Sequence, residues 1–205
     1  MAIIKSGASS DQLTVDATSK AARVSRYDSA GRENSFQKTA TYSVGIPAFT
    51  PPATPTDLFT ITGSGTKTVR VISVLAGFTQ TTAGNNRIYT VKRSTANSGG
   101  SSSAPTAVPF DSTNAAATAT VLSYTGNSTP GSLVGNLAIN NCYSPILATG
   151  TSGPDYQLTP NGIVTELLAQ PVTLRGTGEV LAINFNGAAL PSGLSVVGTI
   201  VWLEE

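Results

Sequence analysis

The sequence contains no histidine and a single cysteine, Cys142, and it carries only 12 basic and 11 acidic side chains in 205 residues. Histidine supplies most of the groups that titrate near neutrality, most bases paired with a nucleophile and many metal ligands, so its absence removes the commonest equipment of hydrolases and transferases. Carboxylates can work in pairs, as in glycoside hydrolysis, but Asp57, Asp111, Asp155, Glu166 and Glu179 are scattered without a local motif. The reading is a protein that is not an enzyme, with no catalytic residues, no cofactor and no metal. One cysteine excludes an internal disulfide framework and leaves a zinc cage short of ligands. In Asn140-Asn-Cys-Tyr-Ser-Pro145 it reads as a small buried apolar residue.

Other absences narrow the class further. No apolar run approaches transmembrane length, and Ala2-Ile-Ile4 is too short for the apolar region of a signal peptide, which gives the expectation of synthesis and retention in a cytoplasm, with no membrane partner. The net charge is +1, without the clustered lysine and arginine that nucleic acid would require. Leucine, glutamate and lysine are too sparse for long helices. Asn127-Ser-Thr129 has the form of a glycosylation acceptor but, with no secretory signal, reads as a turn. Gly63-Ser-Gly-Thr-Lys-Thr68 lacks the spacing of a phosphate-binding loop, and a strand rather than a helix follows it.

What is present is strand and turn chemistry: 29 threonines, 23 serines and 20 glycines set among valines and alanines. Candidate strands are Tyr42–Ile46, Asp57–Thr62, Lys67–Ala76, Asn86–Arg93, Val121–Tyr124, Leu133–Ile139, Ile163–Leu168, Val172–Leu174, Val180–Phe185 and Leu194–Leu203. Asp57–Thr62 and Lys67–Ala76, joined by Gly63-Ser-Gly65, read as a hairpin. Asn86–Arg93 alternates, with Arg87, Tyr89, Val91 and Arg93 on one face. Leu194–Leu203 is apolar on both faces, as in a central strand covered on each side. Ser94–Pro105 reads as a long surface loop, and Asp111 followed by alanines offers one short helical turn. Turn signals at irregular spacing and no fixed repeat give an all-β fold, a two-sheet β-sandwich of jelly-roll type.

Charge is unevenly spread. Leu58–Phe110 holds five basic residues and no acidic one, whereas Asp111 to the end holds six acidic residues against Arg175 alone. Opposite-signed halves either pair across the sheets or give head-to-tail complementarity between subunits. Six further basic side chains precede position 39. There, Leu13–Tyr27 reads as two short extended runs and Asp28-Ser-Ala-Gly-Arg-Glu33 as a polar turn. This segment has too little apolar surface for its own core, so it reads as an extended N-terminal arm or hairpin that lies on another surface. The expected layout is an attachment arm over residues 1–46, a proline-rich linker over 47–56 and the sandwich body over 57–205. Arg23, Arg26, Tyr27 and Arg32 are the candidate partner-binding residues, their guanidiniums suited to carboxylates or carbonyls of a larger assembly.

The string Leu13-Thr-Val-Asp-Ala-Thr-Ser-Lys-Ala-Ala-Arg-Val-Ser-Arg-Tyr-Asp-Ser-Ala-Gly-Arg-Glu33 resembles the N-terminal module of virion structural proteins of tailed bacteriophages. Asp57-Leu-Phe-Thr-Ile-Thr-Gly-Ser-Gly-Thr-Lys-Thr-Val-Arg-Val71 and Lys92-Arg-Ser-Thr-Ala-Asn97 look like the β-rich domains attached to such modules. The resemblance implies a virion component: a jelly-roll capsid decoration or cement protein, commonly trimeric, that contacts the major capsid protein or other virion proteins. Tail fibre, spike and tail-associated proteins that bind a host surface receptor use similar domains. In that case the loops Ser94–Pro105 and Gly126–Gly131 are the expected contact surfaces.

Overall fold

The computed structural model describes residues 4–5, 12–15, 22–23, 39–144 and 171–205, and the chain divides into two units, 1–38 and 39–205. In the first unit, β1 (Ile4–Lys5), β2 (Gln12–Val15) and β3 (Ala22–Arg23) pair antiparallel in that order. The second unit is a β-sandwich, and no helix occurs among the described residues. Its strands are β4 (Ala40–Phe49), β5 (Asp57–Thr62), β6 (Val69–Thr79), β7 (Gly84–Arg93), β8 (Ser102–Ser103), β9 (Val108–Pro109), β10 (Thr120–Tyr124), β11 (Leu133–Ser144), β12 (Val172–Leu174), β13 (Val180–Asn184) and β14 (Ser195–Glu204).

One sheet has the order β11-β7-β13-β5-β10-β8 and the other β12-β6-β14-β4-β9. Early strands pair with late ones: β4 with β14, β5 with β13, β6 with β12 and β7 with β11, all antiparallel. Because β4, β5, β6 and β7 alternate between the sheets, this is one long folded-back ribbon rolled into two layers, the wiring of a jelly roll. β8, β9 and β10 belong to an insertion, residues 94–132, between the partners β7 and β11.

Side chains from the two inner faces fill the space between the layers. Strict alternation along β14 buries Val196, Ile200 and Trp202, and β4 supplies Tyr42, Val44 and Ile46. Phe59 and Ile61 of β5 and Leu181 and Ile183 of β13 face them. The Tyr42 and Trp202 rings stack with centroids 5.8 Å apart. Each such side chain contributes about 1.5–3 kcal/mol when fully buried, so this layer is the main source of stability.

Several expectations change. Residues 40–46, read as the end of the arm, form the first part of β4 and enter the core, so the boundary falls between Lys38 and Thr39. Pro47, read as the start of a linker, lies within β4. The register there slips, with Ile46 opposite Gly198 but Phe49 opposite Val196, and this β-bulge tolerates a residue without an N–H. Pro51 and Pro55 are buried rather than extended into solvent. β5 and β6 are not a hairpin: Gly63-Ser-Gly65 carries the chain from one sheet to the other. A Cβ on Gly63 would stand 2.5 Å from the Gly176 carbonyl oxygen. Asp111–Asn114 makes a single turn without a helix, its Asp111 carboxylate accepting the Thr113 N–H. β14 is central as expected, but its outer face is only half covered, with Val197 44 % exposed. The candidate strand Ile163–Leu168 lies outside the described residues.

Candidate functional site

β7 places Arg87, Tyr89, Val91 and Arg93 on the face of the six-stranded sheet turned away from the core, while Ile88 points inward. Cross-strand partners share a face, and here they are amides: Asn141 and Asn136 of β11 stand opposite Arg87 and Val91, and Asn184 of β13 stands opposite Tyr89. The bottom of this face is a buried ion pair. Arg93 forks onto Asp57, with Nε 2.9 Å from Oδ2 and Nη2 2.7 Å from Oδ1. Asn184 Nδ2 donates to Oδ1 at 2.5 Å and Asn97 Nδ2 donates to Oδ2 at 2.6 Å.

Four N–H donors therefore converge on one carboxylate whose side chain is fully buried. Removing an ion pair of this kind from water is costly, and it is sustained only when the hydrogen bonding is complete. The insertion completes it. Arg93 Nη1 donates to the Gly131 carbonyl at 3.0 Å, and the Gly131 N–H donates to Asn97 Oδ1 at 3.0 Å. The loops Ser94–Pro105 and Gly126–Gly131 are bound together by the Ser98–Thr129 bridge and by the Thr125 and Gly126 N–H groups, which both donate to the Ser101 carbonyl. Both loops are thus tied to the body. Asn127, the residue of the glycosylation-like triplet, holds the Thr54 carbonyl and the Thr56 N–H with its side chain. β5 and β13 are consequently buried on both faces.

Beside this floor runs an open groove. One end is a hollow of about 130 Å³ bordered by Arg93, Leu133, Asn136 and Asn184, and the other is a hollow of about 280 Å³ bordered by Arg87, Asn141 and Ala188. Tyr89 and Asn186 border both. Asn186 (φ 55°) and Gly187 (φ 70°) are the central residues of a tight turn closed by the Ala188 N–H on the Phe185 carbonyl. Both need positive φ, which accounts for an Asn-Gly pair here. The Asn186 N–H also donates to Asn184 Oδ1, so the turn is fixed to the strand that bears it.

Three other cations of the body pair with carboxylates inside the fold. Lys67 lies 3.6 Å from Glu204, Arg70 2.9 Å from Glu205 and Lys92 3.4 Å from Glu179. The opposite-signed halves of the sequence therefore pair within the body. Glu204, at the end of β14, is buried. It accepts the Ala119 N–H, the Thr118 N–H and hydroxyl, and the Trp202 Nε1–H. Burial by itself would push this carboxyl up, but the converging donors win and hold it below the ordinary carboxylate value. Asp111 is also held low, by the Thr113 N–H and hydroxyl.

Of the partner-binding candidates, Arg23 is the last residue of β3, and Arg26, Tyr27 and Arg32 lie outside the described residues. Asp155 and Glu166 lie outside them too. Among the described residues no group of three histidine, cysteine, aspartate or glutamate side chains is placed to hold a metal ion, and no helix is long and apolar enough to cross a membrane. The residues that sequence reasoning missed are Asn136, Asn141, Asn184 and Asn186. The alternation of β7 showed its polar face, but the amides beside it come from strands whose pairing is set by the whole fold.

The fold and the groove together define a β-sandwich protein of jelly-roll wiring with a polar, aromatic-centred concavity on a sheet face. The chain matches no family model, no curated protein and no solved structure.

Proposed function

We propose that this is a non-enzymatic structural protein of a tailed-phage virion, most specifically a capsid decoration or cement protein. The unit 1–38, with Arg23, Arg26, Tyr27 and Arg32, binds the shell through the major capsid protein or another virion protein. The jelly-roll body associates with further copies, a trimer being favoured, and stabilises the particle. The protein is made in the host cytoplasm and carried on the virion, and neither nucleic acid nor membrane is its partner. The observation that supports this reading is the division of labour in the chain. A short unit with six basic and four acidic side chains precedes a body with six basic and seven acidic ones, whose described carboxylates all have intramolecular donors, so the excess of positive charge lies in the first unit. Weak contacts of such units become effective when many symmetric copies engage together.

A second station, a tail fibre, spike or tail-associated protein that binds a host surface receptor, is favoured by the groove at Tyr89. Densitometry of purified virions separates the two: a shell protein is expected in hundreds of copies and a tail protein in a few dozen at most, on the order set by symmetric assembly. Particle binding by residues 39–205 is the companion measurement. The truncated protein is expected to leave particles unbound, and undiminished binding would reject attachment through the first unit.

A further inference from the structure

We propose that the groove across β7, β11 and β13 binds a carbohydrate, specifically a saccharide bearing a carboxylated sugar, with a sugar ring on Tyr89 and its acid group on Arg87. The inference rests on the groove alone and holds at either station on the virion.

The lining has the chemistry of sugar recognition. A half-buried tyrosine at the junction of the two hollows offers an aromatic face to the C–H side of a ring and a hydroxyl to its polar edge. Around it the amides of Asn136, Asn141 and Asn186 present donors and acceptors together, the match for vicinal hydroxyls, each of which both donates and accepts. An apolar ligand would leave these amides without partners when it displaced their water, a cost that disfavours lipid-like occupants. At about 280 and 130 Å³ the two hollows fall below or near the low end of small-ligand pockets, about 300–1,000 Å³, and suit a short saccharide stretch.

Charge decides between neutral and acidic sugars. Two arginines border the groove, and they are not equivalent. Arg93 is committed to Asp57 at its floor. Arg87 is exposed, faces no carboxylate among the described residues and has only its Nε engaged, donating to Asn141 Oδ1 at 3.0 Å. That bond orients the guanidinium and leaves its Nη hydrogens for a carboxylate, the geometry in which arginine exceeds lysine. A lone cation in an otherwise neutral groove argues against nucleic acid, whose backbone would need several. The site lies on paired strands above a locked ion pair, so it is formed before the ligand arrives and binding spends little on ordering it.

The test is isothermal titration of the full-length chain with a panel of uronate- and sialate-containing oligosaccharides beside their methyl-esterified forms. At least one acidic oligosaccharide should bind, and its methyl ester should bind about tenfold more weakly, the loss expected for one charge-assisted hydrogen-bond pair. Arg87→Gln should abolish that preference while leaving the thermal midpoint unchanged, because Arg87 is exposed. Tyr89→Ala should remove binding of both forms. Asn141→Ala, also exposed, serves if the tyrosine variant does not fold. No binding by any member of the panel would overturn the proposal, as would binding that all three variants retain. Equal binding of acid and ester would overturn the role of Arg87 and with it the acidic specificity.

Discussion

Glu204 shows how much a single side chain can determine when it is the only acceptor for several donors. Three of its four donors, the Thr118 N–H and hydroxyl and the Ala119 N–H, join the end of β14 to the insertion, the fourth is Trp202 of β14 itself, and Lys67 stands near enough to add attraction. With its carboxyl held below the ordinary value, about 4.3, the stabilisation is fully present above that value and is lost as pH falls through the depressed one. Replacing Glu204 with glutamine turns one acceptor oxygen into a donor facing donors. Urea unfolding at pH 7 should show a loss of about 1–3 kcal/mol, the cost of an unsatisfied buried group. At pH 3, below the ordinary carboxylate value, the gap between variant and parent should narrow, because the unfolded parent then binds a proton that the folded carboxylate resists. A gap of equal size at both pH values would remove the charge from the explanation. Asp57 belongs to the same class of residue, but its partners include a buried arginine, so its loss would strand a charge as well as donors.

Among the elements, the insertion 94–132 contributes most beyond the basic sandwich, because it turns the outer face of one sheet into a second, polar interior. Gly131 is its closest approach: a Cβ there would meet the Thr95 carbonyl oxygen at 1.8 Å and carbonyl carbon at 2.6 Å, backbone atoms that no side-chain rotation can move away. Gly131→Ala should detach this part of the insertion from Arg93. Amide hydrogen exchange is expected to show faster exchange at Ser94, Ser98 and Thr129, whose N–H groups bond across it, while β4 and β14 keep their protection. Unchanged exchange at those amides would show that the clamp is not held at Gly131. Most of the strands here were legible in the sequence. β5, β7, β13 and β14 announce themselves by alternating or continuous apolar residues, and they begin and end close to the expected positions. The partner of β5 was not legible. Periodicity reports the local backbone state, whereas Asp57 and Asn184, 127 positions apart, meet only because the sheet order brings them together. Pro47 misled for a related reason, since a missing N–H is harmless at a bulge and the sequence does not reveal where bulges fall.

For the whole molecule, the boundary at Lys38 has a direct consequence for stability. Removing residues 1–38 leaves every core residue of the body among the described residues in place, but removing 1–46 takes Tyr42, Val44 and Ile46, all buried, and the partners of β14 from Gly198 to Glu204. The shorter truncation should give a cooperatively melting protein. The longer one should fail to fold, since each large buried side chain lost costs about 2–5 kcal/mol against a total stability of about 5–15. Circular dichroism on the two proteins checks this, and equal melting curves would return the boundary to residue 46. Composition therefore shows a division of the chain, but its position depends on Tyr42–Ile46, whose alternation belongs to β4 of the body and not to the segment before it.

The first-with-last wiring also governs how this protein comes into being. As synthesis proceeds, β4, β5, β6 and β7 emerge before β11, β12, β13 and β14 exist, so each early strand must wait for its mate. β14, central between β6 and β4, follows all the other strands in the sequence, so their sheet cannot close until it has been made. Such high contact order makes productive folding slow, with apolar ribbons exposed in the nascent chain during the interval in which aggregation competes.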